Sequence, residues 1–217
     1  MSVSDPMQFD AVIFDLDGTL LDTESLAQKA GLLAFADCGV SVEPSFLHGL
    51  IGRDDVTGAG IVRAHYPEMD FDVFSKFWRR RVDEHFAAGI PLKPGTHELL
   101  GAIRLPMAMA TSSTRRQLDL KLGVTDIAGY FRHFVTFNDV TLAKPAPEPF
   151  LLAARLLDVD PTHCVAFEDS EAGAEAAYNA GMTVVQVPDI NPASGRFAHV
   201  VAPDLLTGAR EIGLLPN

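Results

Sequence analysis

Asp15-Leu16-Asp17-Gly18-Thr19 sets two carboxylates two residues apart, directly after the apolar run Ala11-Val12-Ile13-Phe14. A wholly apolar run this short predicts a parallel strand buried on both faces. Its C-terminal end opens into the crevice where α/β sheets bind ligands. Gly18 lets the chain leave the strand there, so that both acids can address one ligand. Carboxylates so placed can attack an electrophile, carry a proton or hold a hard metal ion. Taken alone, the pentapeptide also fits an Asp-Gly turn that ends a strand, with Thr19 or Asp22 starting a helix.

Three further segments carry similar signals. Met107-Ala108-Met109-Ala110-Thr111-Ser112-Ser113 predicts a second buried strand running into hydroxyls at a helix start. Lys144-Pro145-Ala146-Pro147-Glu148-Pro149-Phe150 places one lysine before a helix opened by prolines. Cys164-Val165-Ala166-Phe167-Glu168-Asp169-Ser170 predicts a third buried strand that ends in adjacent carboxylates. Strands are expected near Phe9–Asp15, Met107–Thr111, Phe134–Phe137, Cys164–Glu168 and Thr183–Val187. Helical patterns lie between the later ones, over Thr114–Leu122, Pro147–Leu157 and Glu171–Ala180. Alternation of this kind predicts an α/β fold with a doubly wound parallel sheet.

With these residues in place, the chain resembles the haloacid dehalogenase superfamily, in its phosphatase and β-phosphoglucomutase-like branch with a small helical, C1-type cap. The four family motifs occur in order: Asp15-x-Asp17-Gly18-Thr19, Thr111, Lys144, and Glu168-Asp169. The likeness runs from about Phe9 to about Pro188, and Lys144-Pro145-Ala146-Pro147 is particularly typical. The resemblance implies a Rossmann-like sheet of strand order 5-4-1-2-3, which brings the ends of the first, second and fourth strands side by side. It also implies a metal held by the carboxylates matching Asp15 and Asp169 and by the backbone carbonyl matching Asp17, with help from Glu168.

About seventy residues separate the first strand from Pro94-Gly95 without a strand signal, too many for an ordinary crossover. Leu26, Leu32-Leu33 and Phe35, then Val73-Phe74, Phe77-Trp78 and Val82, fall at helical spacing. The expected organisation is a core of residues 1–21 and 94–217 with an inserted helical cap of residues 22–93. The competing arrangement is one compact domain with a decorated helix layer.

Charge and composition narrow the function. The chain has 217 residues, 47% hydrophobic and 21% charged, enough to bury a sizeable core. A net charge of −12 speaks against a nucleic-acid partner. No apolar run is long enough to span a bilayer, Met1–Gln8 shows no secretory pattern, and Cys38 and Cys164 lack metal-ligand spacing. A cytoplasmic address is the default expectation, with no membrane partner and oligomeric state open, a monomer included.

A phosphate dianion entering a pocket of four carboxylates would meet about 4 kcal/mol of repulsion per acid at 4 Å and an effective dielectric near 20. A hard divalent cation with all-oxygen ligands reverses that sign, and Mg²⁺ suits the set better than Ca²⁺. Asp15 is then the candidate nucleophile, forming an aspartyl-phosphate. Asp17 is the candidate proton carrier. Thr111, Ser112 and Ser113 can donate to phosphoryl oxygens, with Gly18 beside them, although Thr111 to Thr114 also fits a plain helix-capping cluster. Lys144 can neutralise charge on Asp15 and on the transferring group. Arg53 matches a cap arginine that grips the distal group of the substrate in several relatives; an ion pair with Asp54 or Asp55 is the equal alternative. Arg115 and Arg116 are further candidates from the core.

An aspartate at position 17 does not fit the dehalogenase or phosphonate-cleaving branches. Ala27 stands where related mutases carry a gating histidine, which favours water as acceptor. The expected activity is therefore a Mg²⁺-dependent phosphatase acting on a small phosphorylated metabolite of the sugar or sugar-acid phosphate kind. The alternatives are a hexose phosphate mutase, a phosphoglycolate-type phosphatase, and an inactive phosphate-binding protein.

Overall fold

The computed structural model describes residues 9–50 and 55–216. Its contacts divide the chain into two compact units, one of residues up to Leu21 with those from Leu92 onward, the other Asp22–Pro91.

The first unit is built on a six-stranded sheet in which every pairing is parallel: β1 (Ala11–Phe14), β2 (Met107–Ala110), β3 (His133–Val135), β4 (Cys164–Glu168), β5 (Thr183–Gln186) and β6 (Val200–Val201). The order is β3-β2-β1-β4-β5-β6. Read from β5 to β3 this is the order 5-4-1-2-3, with β6 added outside β5. β6 was not foreseen, because two residues carry no periodicity. β4 keeps its expected bounds, β1, β2, β3 and β5 end a residue or two earlier than expected, and β3 begins one residue earlier, at His133.

Every residue of β1, β2, β4 and β5 is buried, as strands covered on both faces require. Alternation divides them between two cores. Ala11, Ile13, Ala108, Ala110, Cys164, Ala166 and Val184 pack with Phe150, Ala153 and Ala154 of α7 (Glu148–Leu157) and Ala174 and Ala177 of α8 (Glu171–Asn179). Phe14 and Phe167 belong to the opposite face, where their rings stack with centroids 4.9 Å apart. Because Phe14 is in register with Phe167 and Met109, the residues that follow β1, β2 and β4 emerge at one edge. Asp15 continues the parity of Ala11 and Ile13, and Glu168 that of Cys164 and Ala166.

The second unit is helical, with α1 (Thr23–Asp37), α2 (Pro44–His48), α3 (Asp55–His65) and α4 (Phe71–Ala87). Its core gathers Ala34, Phe35, Leu47, Leu50, Val62 and Phe74, with Trp78 packed against it. The Phe35 ring lies 4.4 Å from that of Phe74 and 5.1 Å from that of Tyr66. Arg81 of α4 pairs with Asp37 at 2.9 Å. Exposed pairs of this kind contribute little, so aromatic burial holds the unit together. Replacing Phe35 by alanine should cost about 3–5 kcal/mol. Chemical denaturation monitored through Trp78 fluorescence, the single tryptophan of the chain, checks this loss.

Candidate active site

Asp15 is the first residue past β1, and its amide donates to the Phe167 carbonyl at 2.9 Å, which keeps it in register with β4. Its side chain is buried. Lys144 Nζ donates to Asp15 Oδ1 at 2.6 Å and to Glu168 Oε1 at 2.5 Å, so one ammonium bridges the two acids. Thr19 Oγ1 lies 3.2 Å from Asp15 Oδ2 and 3.4 Å from Asp169 Oδ1. Carboxylate oxygens of Asp15, Glu168 and Asp169 all fall within 4.8 Å of one another.

Two glycines permit that crowding. Gly18 has φ 82°, and a Cβ there would come within 2.8 Å of Asp169 Cγ. Gly173, on the first turn of α8, faces the Glu168 carboxylate so closely that a Cβ would overlap it. Glu168 is fully buried and its oxygens are committed. Oε1 accepts from Lys144, while Oε2 accepts from the amides of Asp169 and Ser170, both at 3.1 Å, and from Ser170 Oγ at 3.0 Å. Ser170 caps α8, accepting from the Gly173 amide at 3.1 Å.

Burial, with the neighbouring Glu168 and Asp17 charges, raises the Asp15 carboxyl to about 7 despite the lowering influence of Lys144. Burial alone would lower Lys144; the Asp15 and Glu168 carboxylates outweigh it and hold the side chain as a cation. The pocket therefore carries more negative charge than its lysine offsets. Oxygen donors short of positive charge are what a hard divalent cation requires, and the residues fit one on that ground.

Asp17 is held apart from this cluster. Its Oδ1 accepts from Lys121 Nζ at 2.5 Å and its Oδ2 from Ser113 Oγ at 2.8 Å. Lys121, on α6 (Arg115–Gly123), was not among the expected site residues. Its only sequence signal is a position three residues after buried Leu118, on the inward face of the helix. Thr111 is buried at the end of β2, and its Oγ1 accepts from the Ser113 amide at 3.0 Å, which leaves its hydroxyl hydrogen for donation. Ser112 is exposed. Thr114 caps α6 in a capping box with Gln117. The Arg115 guanidinium donates to the Phe134 carbonyl at 3.2 Å and to Asp139 at 3.3 Å, on the side of β3. Arg53 lies outside the described residues.

Gly173→Ala should lower stability by about 1–3 kcal/mol through overpacking against Glu168. Gly101→Ala, in α5 (Thr96–Ala102) with open space around the new methyl, should not. Paired thermal melts compare the two.

A family model described as haloacid dehalogenase-like hydrolase matches residues 12–187. The fructose-1-phosphate phosphatase YqaB of Escherichia coli is 31% identical over 184 residues, covering 83% of this chain and 97% of that protein. The phosphorylated carbohydrates phosphatase of Thermotoga maritima is 32% identical over 177 residues, covering 80% of this chain and 82% of that protein. Among solved structures, a HAD family hydrolase from Deinococcus radiodurans with bound phosphate and sodium superposes with a TM-score of 0.82 at 26% identity, covering 98% of this chain and 99% of that one. CbbY from Rhodobacter sphaeroides in complex with phosphate gives 0.73 at 26% identity, covering 95% and 97%. By sequence and by fold, the chain belongs to the haloacid dehalogenase-like hydrolase family, among its phosphoric monoester hydrolases.

Proposed function

We propose that the protein is a Mg²⁺-dependent phosphatase that hydrolyses a small sugar or sugar-acid phosphate through an aspartyl-phosphate on Asp15. The observation that carries this reading is the convergence of Asp15, Glu168 and Asp169 oxygens within 4.8 Å around the Lys144 ammonium. The relatives named for fructose 1-phosphate and phosphorylated carbohydrates support the substrate class.

Asp15, Asp169 and the Asp17 backbone carbonyl would hold the cation, with Glu168 behind them holding Lys144 and the Asp169–Ser170 turn in place. When bound, the ion neutralises charge on the phosphoryl oxygens and on Asp15. The chain's own residues do the rest. An Asp15 oxygen attacks phosphorus as the ester bond breaks, and the departing oxygen takes a proton from Asp17. Lys144 and the Thr111 hydroxyl stabilise charge on the transferring group. Asp17 then takes a proton from the water that cleaves the aspartyl-phosphate, which restores both aspartates and releases phosphate. In this reading, residues 22–93 form the inserted cap, and Arg53 is a candidate for the distal end of the substrate. Ala27, in place of a gating histidine, favours hydrolysis over transfer to a second sugar hydroxyl.

Asp15→Asn should abolish turnover of p-nitrophenyl phosphate and fructose 1-phosphate while the thermal transition is retained; activity in that variant would show that another group attacks phosphorus.

The raised Asp15 carboxyl also makes the metal dependence sensitive to pH. Its folded value near 7 lies above the unfolded value of about 4, so the metal-free fold is favoured below about pH 4 and loses that advantage as pH rises toward about 7. A cation that requires the ionised form should release protons on binding near neutrality and raise the melting temperature more at pH 8 than at pH 5. Titration calorimetry with MgCl₂ in two buffers of different ionisation enthalpy reads the proton count directly; identical heats in both would count against the shared cluster.

A further inference from the structure

Lys121 belongs to none of the four motifs, yet its side chain is only 6% exposed. A lysine at an inward-facing helix position is costly unless its charge is matched. The match is specific: Nζ lies 2.5 Å from Asp17 Oδ1 and 2.7 Å from Ser113 Oγ, and the Ser113 hydroxyl donates to Asp17 Oδ2 at 2.8 Å. Around this triangle the ammonium gives two hydrogens, the serine accepts one and gives its own, and each carboxylate oxygen accepts one. Ser113 is in turn tied by its amide to Thr111 Oγ1 at 3.0 Å.

A carboxylate held at one oxygen can still rotate about its last bond. Held at both by charged or hydroxyl donors, it has one plane and one direction. The two aspartates of Asp15-x-Asp17 thus have separate buried lysines, Lys144 for Asp15 and Lys121 for Asp17. The first bridges Asp15 and Glu168 in the metal-type cluster. The second contacts Asp17 and Ser113, where it bears on the orientation of Asp17.

We propose that Lys121, with Ser113, is the positioning residue that aims Asp17 at the bridging ester oxygen. The proposal rests on the proton-carrier reading of Asp17. In the step concerned, the O–P bond to the alcohol breaks, the Asp15–P bond forms, and the proton on Asp17 goes to the departing oxygen. It is regained from the attacking water in the second half of the cycle. Lys121 is not consumed and acts only through Asp17; it fixes the direction from which that proton comes.

A poor leaving group needs the proton, and a good one does not. The test therefore compares kcat/KM, which ends with release of the alcohol, for phenyl phosphate and p-nitrophenyl phosphate in the Mg²⁺-loaded full chain. Lys121→Met keeps the length of the side chain and removes its charge. The expected result is a loss about tenfold greater on phenyl phosphate than on the nitrophenyl ester, with KM little changed, and a Lys121→Met/Asp17→Asn double variant no slower than Asp17→Asn alone. Ser113→Ala, which keeps the Lys121–Asp17 pair, should shift the two esters in the same direction by less, and it decides the matter if Lys121→Met fails to fold. Equal losses on both esters in a folded Lys121→Met or in Ser113→Ala, or a further loss in the double variant, would overturn the proposal. If Asp17→Asn itself lost both esters equally, the proton-carrier reading would be the part at fault, and the role of Lys121 would fall with it.

Discussion

Like charge confined at one edge of a sheet is the constraint on which the rest of this structure depends. Asp15, Asp17, Glu168 and Asp169 all follow from β1 and β4, neighbouring strands in register, so their mutual repulsion is imposed by the backbone. Two buried lysines answer it, each matched to a different aspartate of the same tripeptide. The answer is incomplete by design of charge count: with Lys144 shared between Asp15 and Glu168, burial still keeps Asp15 at about 7. A pocket left short of positive charge is suited to a cation and to an anion that arrives with it.

The backbone details serve that crowding. Gly18 and Gly173 are required where they are because the Asp169 and Glu168 carboxylates take up the space a side chain would fill. Glu168 is spent on the scaffold: its four accepted bonds fix a lysine and the turn that carries Asp169. Removing one partner of such a network leaves a buried charge without compensation, which costs more than the network adds when intact.

Much of the sheet was legible because its signal is local. Three apolar runs, each ending in chemistry-bearing residues, announce buried strands, and register then brings their ends together. β6 was not legible, since a two-residue strand is selected by its neighbour β5 and not by its own pattern. Lys121 was missed for a related reason. In the sequence it is one charged residue in a polar helix, and only the position of Leu118 three residues earlier hints that it faces inward. The arrangement of Glu168 was equally hidden, because nothing in two adjacent acids says that the fold makes the first the turn's own hydrogen-bond acceptor. Arg115 looked like a reach toward substrate, yet its guanidinium is taken up by Asp139 and the end of β3.

The two places where the chain crosses between its units lie side by side. Leu21 forms an antiparallel bridge with Leu92, and Lys93 donates to the Leu20 carbonyl at 2.9 Å within the first unit, while Asp22 donates to Pro91 at 2.9 Å within the second. The endpoints of the insertion are thus already closed by the sheet-bearing unit, and the entropy of bringing them together depends only weakly on how many residues lie between. An insert of another length or composition can be accommodated there without shifting the register of β1. Evolution can vary what hangs from that ribbon while the charges below it keep their places.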